Sequence, residues 1–332
     1  VIAGIPGLSV GVSVDGRTVW REGFGFANIE SGSRCTADSI MRIASISKSI
    51  TASITARLVQ EGKLDLDKPI QTYLPEFPKK KFEGKYVDIT TRQLLSHTGG
   101  IRHYRKDSKD ESKKDFEDLT NSNTEEKEFL SNVPYTTVTE ALELFKDDDL
   151  VAKPGREFRY TTYGFTLVSA VLEKVSGMEF KKLLEDLTSR LEMNHTVLDV
   201  NERIIPHRTK NVFKHTIFAI ITSEVIANAF LKKEIVKQLW KGEISVNSKT
   251  LAGLGWMCTD YSDFDGIHRK GCGLWYHTGG AVGASSVLLI HPRNTQAHER
   301  NAPSGVCVVM LCNLQDSSLL NLAKEVEQIF RK

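Results

Sequence analysis

The chain has 332 residues, of which 40% are hydrophobic and 26% are charged, and its formal net charge at pH 7 is +2. This length indicates one large domain or two interleaved domains. The near-neutral balance excludes the charge excess on which nucleic-acid-binding and membrane-surface proteins rely. The longest apolar stretch, 216–231, is interrupted by Glu224 and is too short to cross a bilayer. Because the sequence begins at Val1 rather than methionine, we expect a processed chain or a fragment that shows no targeting segment.

Cysteine and histidine do not form the patterns that hold metal ions or disulfide frameworks. The five cysteines are odd in number and include no C-x-x-C pair. The nine histidines include no H-E-x-x-H sequence. We therefore expect no metal, no other cofactor, and buried, mostly reduced thiols. The cysteines are Cys35, Cys258, Cys272, Cys307 and Cys312.

The N-terminal segment has the alternation of a β-hairpin. Apolar residues alternate with serine and glycine over 8–14, an Asp-Gly pair at 15–16 supplies a tight turn, and 18–20 resumes the pattern. We expect two antiparallel strands here, followed by a loop at Phe24 and Phe26.

The segment 41–62 contains an S-x-x-K tetrad, from Ser45 to Lys48, at the front of a predicted apolar helix. Residues i and i+3 of a helix share a face, so this hydroxyl and this amine can meet. A lysine in a dry site can lose its proton and activate a hydroxyl. The helix start also offers N–H groups to an oxyanion. Small and aliphatic residues on every side predict a buried helix, and Gly62 suits its left-handed end.

The tetrad alone is short enough to occur by chance, so its context decides whether it carries chemistry. After it, the pattern predicts short elements separated by turns. We expect a short helix within 63–77 and another within 88–97, which a threonine caps and two glycines at 99–100 end. The segment 105–128 has Lys or Arg at six positions and Asp or Glu at nine. Such a composition predicts a solvated, flexible insertion, with a partner-docking segment as the alternative.

The remaining pattern places helices in the middle of the chain and strands towards its end. Strands at both ends predict an α+β fold, with one antiparallel sheet covered by the last helix. We predict a discontinuous sheet domain of 1–62 and 253–332, and an inserted, mostly helical subdomain of 63–252. The further predicted helices are 139–145, 163–177, 180–191, 217–240 and 318–330, and the strands are 253–257, 286–290 and 305–313.

Two further segments carry groups that serine–lysine chemistry needs. Tyr160 lies between a turn and a helix, and its hydroxyl can pass the serine proton to a leaving group. Thr162 can form a hydrogen bond with a bound substrate. By itself, a tyrosine at such a place is more typical of a partly buried surface aromatic.

The second segment is His277, Thr278, Gly279 and Gly280, which we expect on a polar edge strand where a substrate backbone can approach closely. We assign one oxyanion donor to the backbone of Ser45 and the other to that of Gly280. His277 can bind a substrate carboxylate or polarise the site, although a lone histidine at a strand start is more often structural.

The same tetrapeptide also occurs at 97–100, directly after a predicted short helix. Its two glycines are typical of a helix end. We interpret this copy as structural.

The motifs S-x-x-K, Y-x-[NST] and [KH]-T-G, in this order, resemble those of the serine β-lactamase and penicillin-binding-protein superfamily. The likeness covers nearly the whole chain and fits the class C-like branch, which also contains esterases and D-aminopeptidases. Segments that carry it are MRIASISKS, GKLDLDKPIQTYLPEF, TTRQLLSHTGGIRHY, KPGREFRYTTYGFTLVSAVLE and HTGGAVGASSVLLI.

The resemblance implies a β-lactamase/transpeptidase-like fold and hydrolysis through an acyl-enzyme. It makes Ser45 the nucleophile, Lys48 its base and Tyr160 part of the proton relay. Thr162 stands where the branch often has asparagine. His277 stands where many relatives have lysine, which implies a pH-dependent interaction with a substrate carboxylate.

Within this branch, the charged insertion and the aliphatic serine-bearing helix are similar to a mitochondrial group of animal proteins. That similarity implies a peptidase of the intermembrane space that acts on a peptide or small acyl substrate, assembles into homo-oligomers or filaments, and influences lipid metabolism. One departure is that 203–228 lacks the Gly-Gly…Ser-Thr…Asp-Leu segment usual in the branch. An esterase, a true β-lactamase, and a filament-forming scaffold with a vestigial site therefore remain alternatives.

Overall fold

The computed structural model describes residues 4–104, 135–199, 204–209, 230–259, 273–281, 283–292 and 305–331. The chain divides into two compact units, one formed by Val1–Gln60 with Lys181–Lys332 and the other by Glu61–Phe180. By this division, residues 181–252 fall in the first unit, whereas the sequence pattern groups them with the insertion. The domain boundaries drawn from the sequence stay a prediction.

The described elements are numbered in chain order. The strands are β1 (Gly7–Val14), β2 (Arg17–Asn28), β3 (Ser33–Arg34), β4 (Lys80–Phe82), β5 (Lys85–Val87), β6 (Ile244–Asn247), β7 (Thr250–Ala252), β8 (Met257–Thr259), β9 (Leu274–Ala281), β10 (Ala284–Pro292) and β11 (Gly305–Cys312). The helices are α1 (Ser47–Gln60), α2 (Thr91–Leu95), α3 (Val138–Ala141), α4 (Tyr163–Ser176), α5 (Phe180–Arg190), α6 (Lys233–Leu239) and α7 (Leu320–Phe330).

The first unit is built on a nine-stranded sheet in the order β3-β2-β1-β11-β10-β9-β8-β7-β6. Its centre pairs the two ends of the chain, since β1 runs antiparallel to β11 with Val10 opposite Met310. The first hairpin turns at Asp15 and Gly16, both with positive φ, as a tight two-residue turn requires. The α+β fold with one antiparallel sheet from both chain ends is thereby confirmed.

One face of this sheet carries the main apolar core of the first unit. Alternate residues of β1, β10 and β11 point to this face because side chains of a strand alternate, and α7 packs against β10 and β11. His291 Nδ1 and Glu327 Oε1, 2.6 Å apart, join β10 to α7. Buried members of the core include Val10, Val12, Val287, Leu289, Val308, Met310, Leu319, Ala323 and Val326.

Helix α1 is buried over most of its length, as its composition predicts. Three of its buried hydroxyl groups are satisfied within the helix, where Thr51, Ser53 and Thr55 each donate to the carbonyl four residues earlier. Ser49 Oγ instead donates to the carbonyl of Gly255, 2.8 Å away. This bond ties α1 to the turn before β8. Gly62 has φ +70, the left-handed conformation that its place after the helix predicts.

The second unit contains the predicted short helix near residue 90. Thr90 caps α2, since its side chain accepts from the backbone of Gln93 and the Gln93 side chain accepts from the backbone of Thr90. The longer helix α4 ends at Gly177, with φ +69, as predicted. No helix in the described part of the chain is both long and apolar enough to cross a membrane.

Several predictions of local structure are wrong. Strand β2 continues to Asn28, so Phe24 and Phe26 lie in a strand and not in a loop. In 63–77 the only helical turn is a 3₁₀ turn at Ile70–Thr72. The hairpin of β4 and β5 and the strands β6 and β7 were not predicted, because each strand has only three or four residues. The insertion 105–128 and most of 203–228 and 217–240 lie outside the described residues.

Candidate active site

Ser45 lies in a tight turn that precedes helix α1. Residues Ala44–Ile46 form one turn of 3₁₀ helix, and α1 begins at Ser47, so Ser45 lies just before the α-helix and not at its front as predicted. Ala44 has φ +46, a conformation that costs a non-glycine residue about 1–2 kcal/mol. The turn is anchored by a hydrogen bond from Ser286 Oγ to the carbonyl of Ile43, 2.7 Å long. Strained backbone conformations that surrounding contacts hold in place, like this one, are concentrated at functional sites.

Lys48 reaches back to this turn from the first turn of α1. Its Nζ donates to Ser45 Oγ over 3.0 Å. The side chain is buried, and burial lowers the pKa of Lys48 to about 7 because a charged ammonium loses its hydration there. The predicted meeting of the hydroxyl and the amine is therefore present, although the turn between them is 3₁₀ in part.

Strand β9 packs against the Ser45 turn. A Cβ atom on Gly279 would lie 2.2 Å from the carbonyl oxygen of Ile43 and 2.3 Å from Ser286 Oγ, so only glycine fits there. Thr278 and Gly280 are exposed, and no atom of the described residues lies within 4 Å of a Cβ built on Gly280. The glycine at 279 thus allows the close approach of strand and turn.

The prediction of an edge strand needs correction. Strand β9 is internal where Leu274–Tyr276 pair with β8, and its other side pairs with β10 from Trp275 to Ala281. Within the described residues, pairing with β8 stops at Tyr276. Among the described residues, the second half of β9 is therefore the part of the strand with an open edge.

His277 is buried, with 3% of its surface exposed. Its Nδ1 lies 2.7 Å from the carbonyl of Thr278, and its Nε2 is buried without a hydrogen-bond partner in the described part of the chain. Burial first, and then the positive charge of Lys48, lower the pKa of His277 to about 4. The ring is thus neutral at pH 7, which is unfavourable for the predicted binding of a substrate carboxylate.

Tyr160 and Thr162 belong to the second unit, where hydrogen bonds fix the loop that carries them. The backbone N–H of Thr161 donates to His97 Nδ1 over 3.1 Å. That of Thr162 donates to His103 Nδ1 over 3.3 Å. Their approach to Ser45 stays a prediction from the sequence.

Sequence reasoning missed His97, Arg102 and His103. The copy of His-Thr-Gly-Gly at 97–100 does close the end of α2, since the N–H groups of His97 and Thr98 donate to the carbonyls of Leu94 and Gln93. Its imidazole, however, also binds the loop that carries Tyr160. The repeated tetrapeptide followed by Arg102 and His103 was the available signal. In the described ranges, no group of three or more His, Cys, Asp or Glu side chains is placed to hold a metal ion.

Comparisons with known proteins identify the family of this chain. A family model described as Beta-lactamase matches residues 2–215. The human protein named "Serine beta-lactamase-like protein LACTB, mitochondrial" is 32% identical over 421 aligned residues, which cover 99% of this chain and 77% of that protein. The aligned region is longer than the 332 residues of this chain, so the human relative has insertions that this chain lacks.

Solved structures share the fold over nearly the whole chain. A D-stereospecific amidohydrolase from Streptomyces sp. has a TM-score of 0.70 and 20% identity, and the match covers 98% of this chain and 94% of that one. EstCE1, described as a hydrolase with promiscuous acyltransferase activity, has a TM-score of 0.74 and 18% identity, with coverage of 96% and 92%. The family model and the full-length relative together show that this chain belongs to the beta-lactamase family, whose members are serine hydrolases with this fold.

Proposed function

We propose that this protein is a serine hydrolase that works through an acyl-enzyme on Ser45. The observation that carries the proposal is the 3.0 Å hydrogen bond from Lys48 Nζ to Ser45 Oγ, made by a buried lysine whose pKa is lowered to about 7. A neutral amine next to a hydroxyl is the arrangement that nucleophilic catalysis needs.

In the proposed reaction, neutral Lys48 accepts the proton of Ser45 as Oγ attacks an amide or ester carbonyl. The backbone N–H groups of Ser45 and Gly280 bind the oxyanion, each worth about 3 kcal/mol of barrier. Tyr160 passes the proton to the leaving group, which departs and leaves the acyl group on Ser45. Water then attacks the ester and restores the free serine. Thr162, Thr278 and the open edge of β9 hold the substrate, with Gly279 keeping the strand close to the nucleophile.

We propose an amide, in a peptide or a small acyl compound, as the first substrate class, with esters and β-lactams as alternatives within the same chemistry. A neutral, buried His277 does not supply a cation for a substrate carboxylate, so we expect no requirement for one. The relative named mitochondrial supports a mitochondrial location. A role in lipid metabolism and assembly into homo-oligomers or filaments remain predictions.

Mass spectrometry of the intact protein after exposure to a fluorophosphonate, a penicillin, and activated amides and esters tests the proposal. We expect a mass gain equal to the acyl or phosphonyl group, lost in Ser45→Ala. The matched control is Ser47→Ala, which removes a neighbouring hydroxyl that makes no hydrogen bond in the described part of the chain and should keep the mass gain.

No mass gain with any probe, in a wild-type protein that is folded, would contradict the proposal. If the protein then assembled equally well as wild type and as Ser45→Ala, a scaffold with a vestigial site would replace the enzyme as the better account.

A further inference from the structure

We propose that His97 is a positioning residue that holds Tyr160 in place for the proton relay. The inference rests on the proposed function and adds a role for the first His-Thr-Gly-Gly copy beyond that of ending α2.

His97 binds the backbone on both sides of Tyr160. Its carbonyl accepts from the N–H of Arg159 over 2.7 Å, and its Nδ1 accepts from the N–H of Thr161 over 3.1 Å. An imidazole nitrogen that accepts a hydrogen bond carries no proton, so the ring is neutral with its proton on Nε2. One residue thus binds the backbone N–H groups of the residues before and after the tyrosine.

The imidazole also contacts the phenol ring itself. The ring centroids of His97 and Tyr160 lie 4.4 Å apart at an interplanar angle of 30°. Phe158 and Phe165 pack against the same imidazole at 5.5 and 5.2 Å. The tyrosine ring is therefore one side of an aromatic cluster whose centre is His97.

His97 is itself held in a conformation that its neighbours must impose. Its side chain is buried, and its φ of +58 lies in the left-handed region, which costs a histidine about 1–3 kcal/mol. Gly100 has φ +72, and a Cβ there would lie 2.1 Å from the carbonyl oxygen of Ala152. The glycine thus allows this turn to pack closely against the backbone at Ala152.

Arg102 and His103, which follow this turn in the chain, also bind the loop that carries Tyr160. The carbonyl of Arg102 accepts from Thr161 Oγ1 over 2.6 Å, and His103 Nδ1 accepts from the N–H of Thr162. The His103 ring meets Tyr160 edge-on at 5.6 Å. Tyr160 thus lies in a loop in which its neighbours on both sides are tied to 97–103. A helix end alone requires no imidazole acceptor, which argues for a role beyond ending α2.

Two substitutions of His97 distinguish the effect of its hydrogen bond to Thr161 from the effect of its ring packing. His97→Asn places an amide oxygen near the position of Nδ1 and tolerates positive φ, whereas His97→Phe keeps an aromatic ring and removes the acceptor. With a substrate that acylates Ser45, we expect His97→Phe to lower kcat by about 10- to 100-fold with KM nearly unchanged. We expect His97→Asn to stay within about threefold of wild type, because it keeps the acceptor on which the position of the loop depends. Circular dichroism and melting temperature check that both fold.

The decisive measurement is a double-mutant cycle with Tyr160→Phe. If His97 acts through Tyr160, adding His97→Phe to Tyr160→Phe lowers kcat little further. Independent, multiplicative losses, or equal losses in the Asn and Phe variants, would overturn the proposal.

Amide hydrogen exchange at Thr161 separates this inference from the proposed function. We expect protection of that N–H in the wild type and in His97→Asn, and its loss in His97→Phe, whether or not Ser45 is reactive. Failure of acylation with this exchange pattern intact would overturn the enzyme proposal alone. Unchanged protection in His97→Phe would overturn the positioning role.

Discussion

At the scale of single residues, two basic side chains near the nucleophile have pKa values far below their ordinary ones. Burial lowers the pKa of Lys48 to about 7, and burial together with the charge of Lys48 lowers that of His277 to about 4. The charge of Lys48 disfavours a second charge on His277, since like charges in a poorly hydrated site repel. The consequence is a base that is available near neutral pH and a histidine that stays uncharged beside it.

The first prediction concerns the pH dependence of acylation. The lysine acts as a base only when neutral, so kcat/KM should rise with pH through about 7 and level off above it, provided that Lys48 primes Ser45. Stopped-flow measurement of acylation between pH 5.5 and 9 follows this rise in kcat/KM. Lys48→Arg, which cannot deprotonate, should lose activity at every pH. A rise in kcat/KM centred near pH 10 would show that Lys48 keeps its ordinary pKa and is not desolvated.

The second prediction concerns stability. His277 binds a proton less readily in the folded state, with a pKa of about 4, than in the unfolded state, with 6.5. The unfolded state therefore binds more protons between these values, and the free energy of unfolding should fall as pH drops from about 6.5 to 4, by up to about 3 kcal/mol.

Urea unfolding of wild type and His277→Asn at pH 4.5 and 7 checks the second prediction, because the variant should lose this part of the pH dependence. His195→Gln is the control, since that histidine is exposed. Equal pH dependence in wild type and His277→Asn would contradict the assignment.

At the scale of elements, the site depends on how closely strand β9 and the Ser45 turn approach each other. Gly279 leaves no room for a side chain, while Gly280 one position later faces open space. Because side chains of a strand alternate, adjacent glycines serve different purposes. The first allows packing, and the second leaves the strand accessible.

The third prediction compares substitutions at Gly279 and Gly280. Gly279→Ala should lower the free energy of unfolding by about 1–3 kcal/mol and reduce acylation at Ser45, because the new methyl group would displace the carbonyl of Ile43 or the hydroxyl of Ser286. Gly280→Ala should leave stability within about 0.5 kcal/mol of wild type. Chemical unfolding and fluorophosphonate labelling measure both effects, and an equal loss of stability in the two variants would refute the packing account.

The elements that the sequence predicted well are those with strong local signals. The Asp-Gly turn, the capping threonine of α2, and the glycine that ends α4 each act within a few residues. The strands β6 and β7 have three or four residues each and no such signal. The status of β9 as internal or edge depends on β8, a partner some fifteen residues away, and no local pattern reports it.

The candidate site was predictable to the extent that its chemistry is local. Ser45 and Lys48 lie one turn apart, so spacing alone brings them together. His97 is 64 residues from Thr161 in the chain, and its contact depends on the packing of the second unit. The neutrality of His277 likewise follows from burial, which a tetrapeptide does not reveal.

At the scale of the whole molecule, the sheet of the first unit is held together by residues from both ends of the chain. Leu289 on β10 is fully buried, in the same core as Val12 of β1 and Ala323 of α7. The turn that carries Ser45 packs against β9 and β10 of this same sheet. Loss of the core should therefore affect stability and activity together.

The fourth prediction is that Leu289→Ala lowers the free energy of unfolding by about 2–5 kcal/mol, through lost burial and the cavity left behind. Ile329→Ala on α7, where the side chain is 65% exposed, should change it by about 0.5 kcal/mol or less. Urea unfolding followed by tryptophan fluorescence makes the comparison. Similar effects of the two substitutions would mean that this face of the sheet does not carry the core.

The pairing of β1 with β11 has a consequence for the order of events during synthesis. Leu8 lies opposite Cys312, so the first strand leaves the ribosome long before its partner exists. Until then, β1 has its antiparallel neighbour β2 but lacks the other one, and its apolar face lacks the cover of α7. A nascent chain halted before β11 should therefore bind chaperones and fail to react with serine probes, and reactivity should appear only once the final strand and helix have emerged.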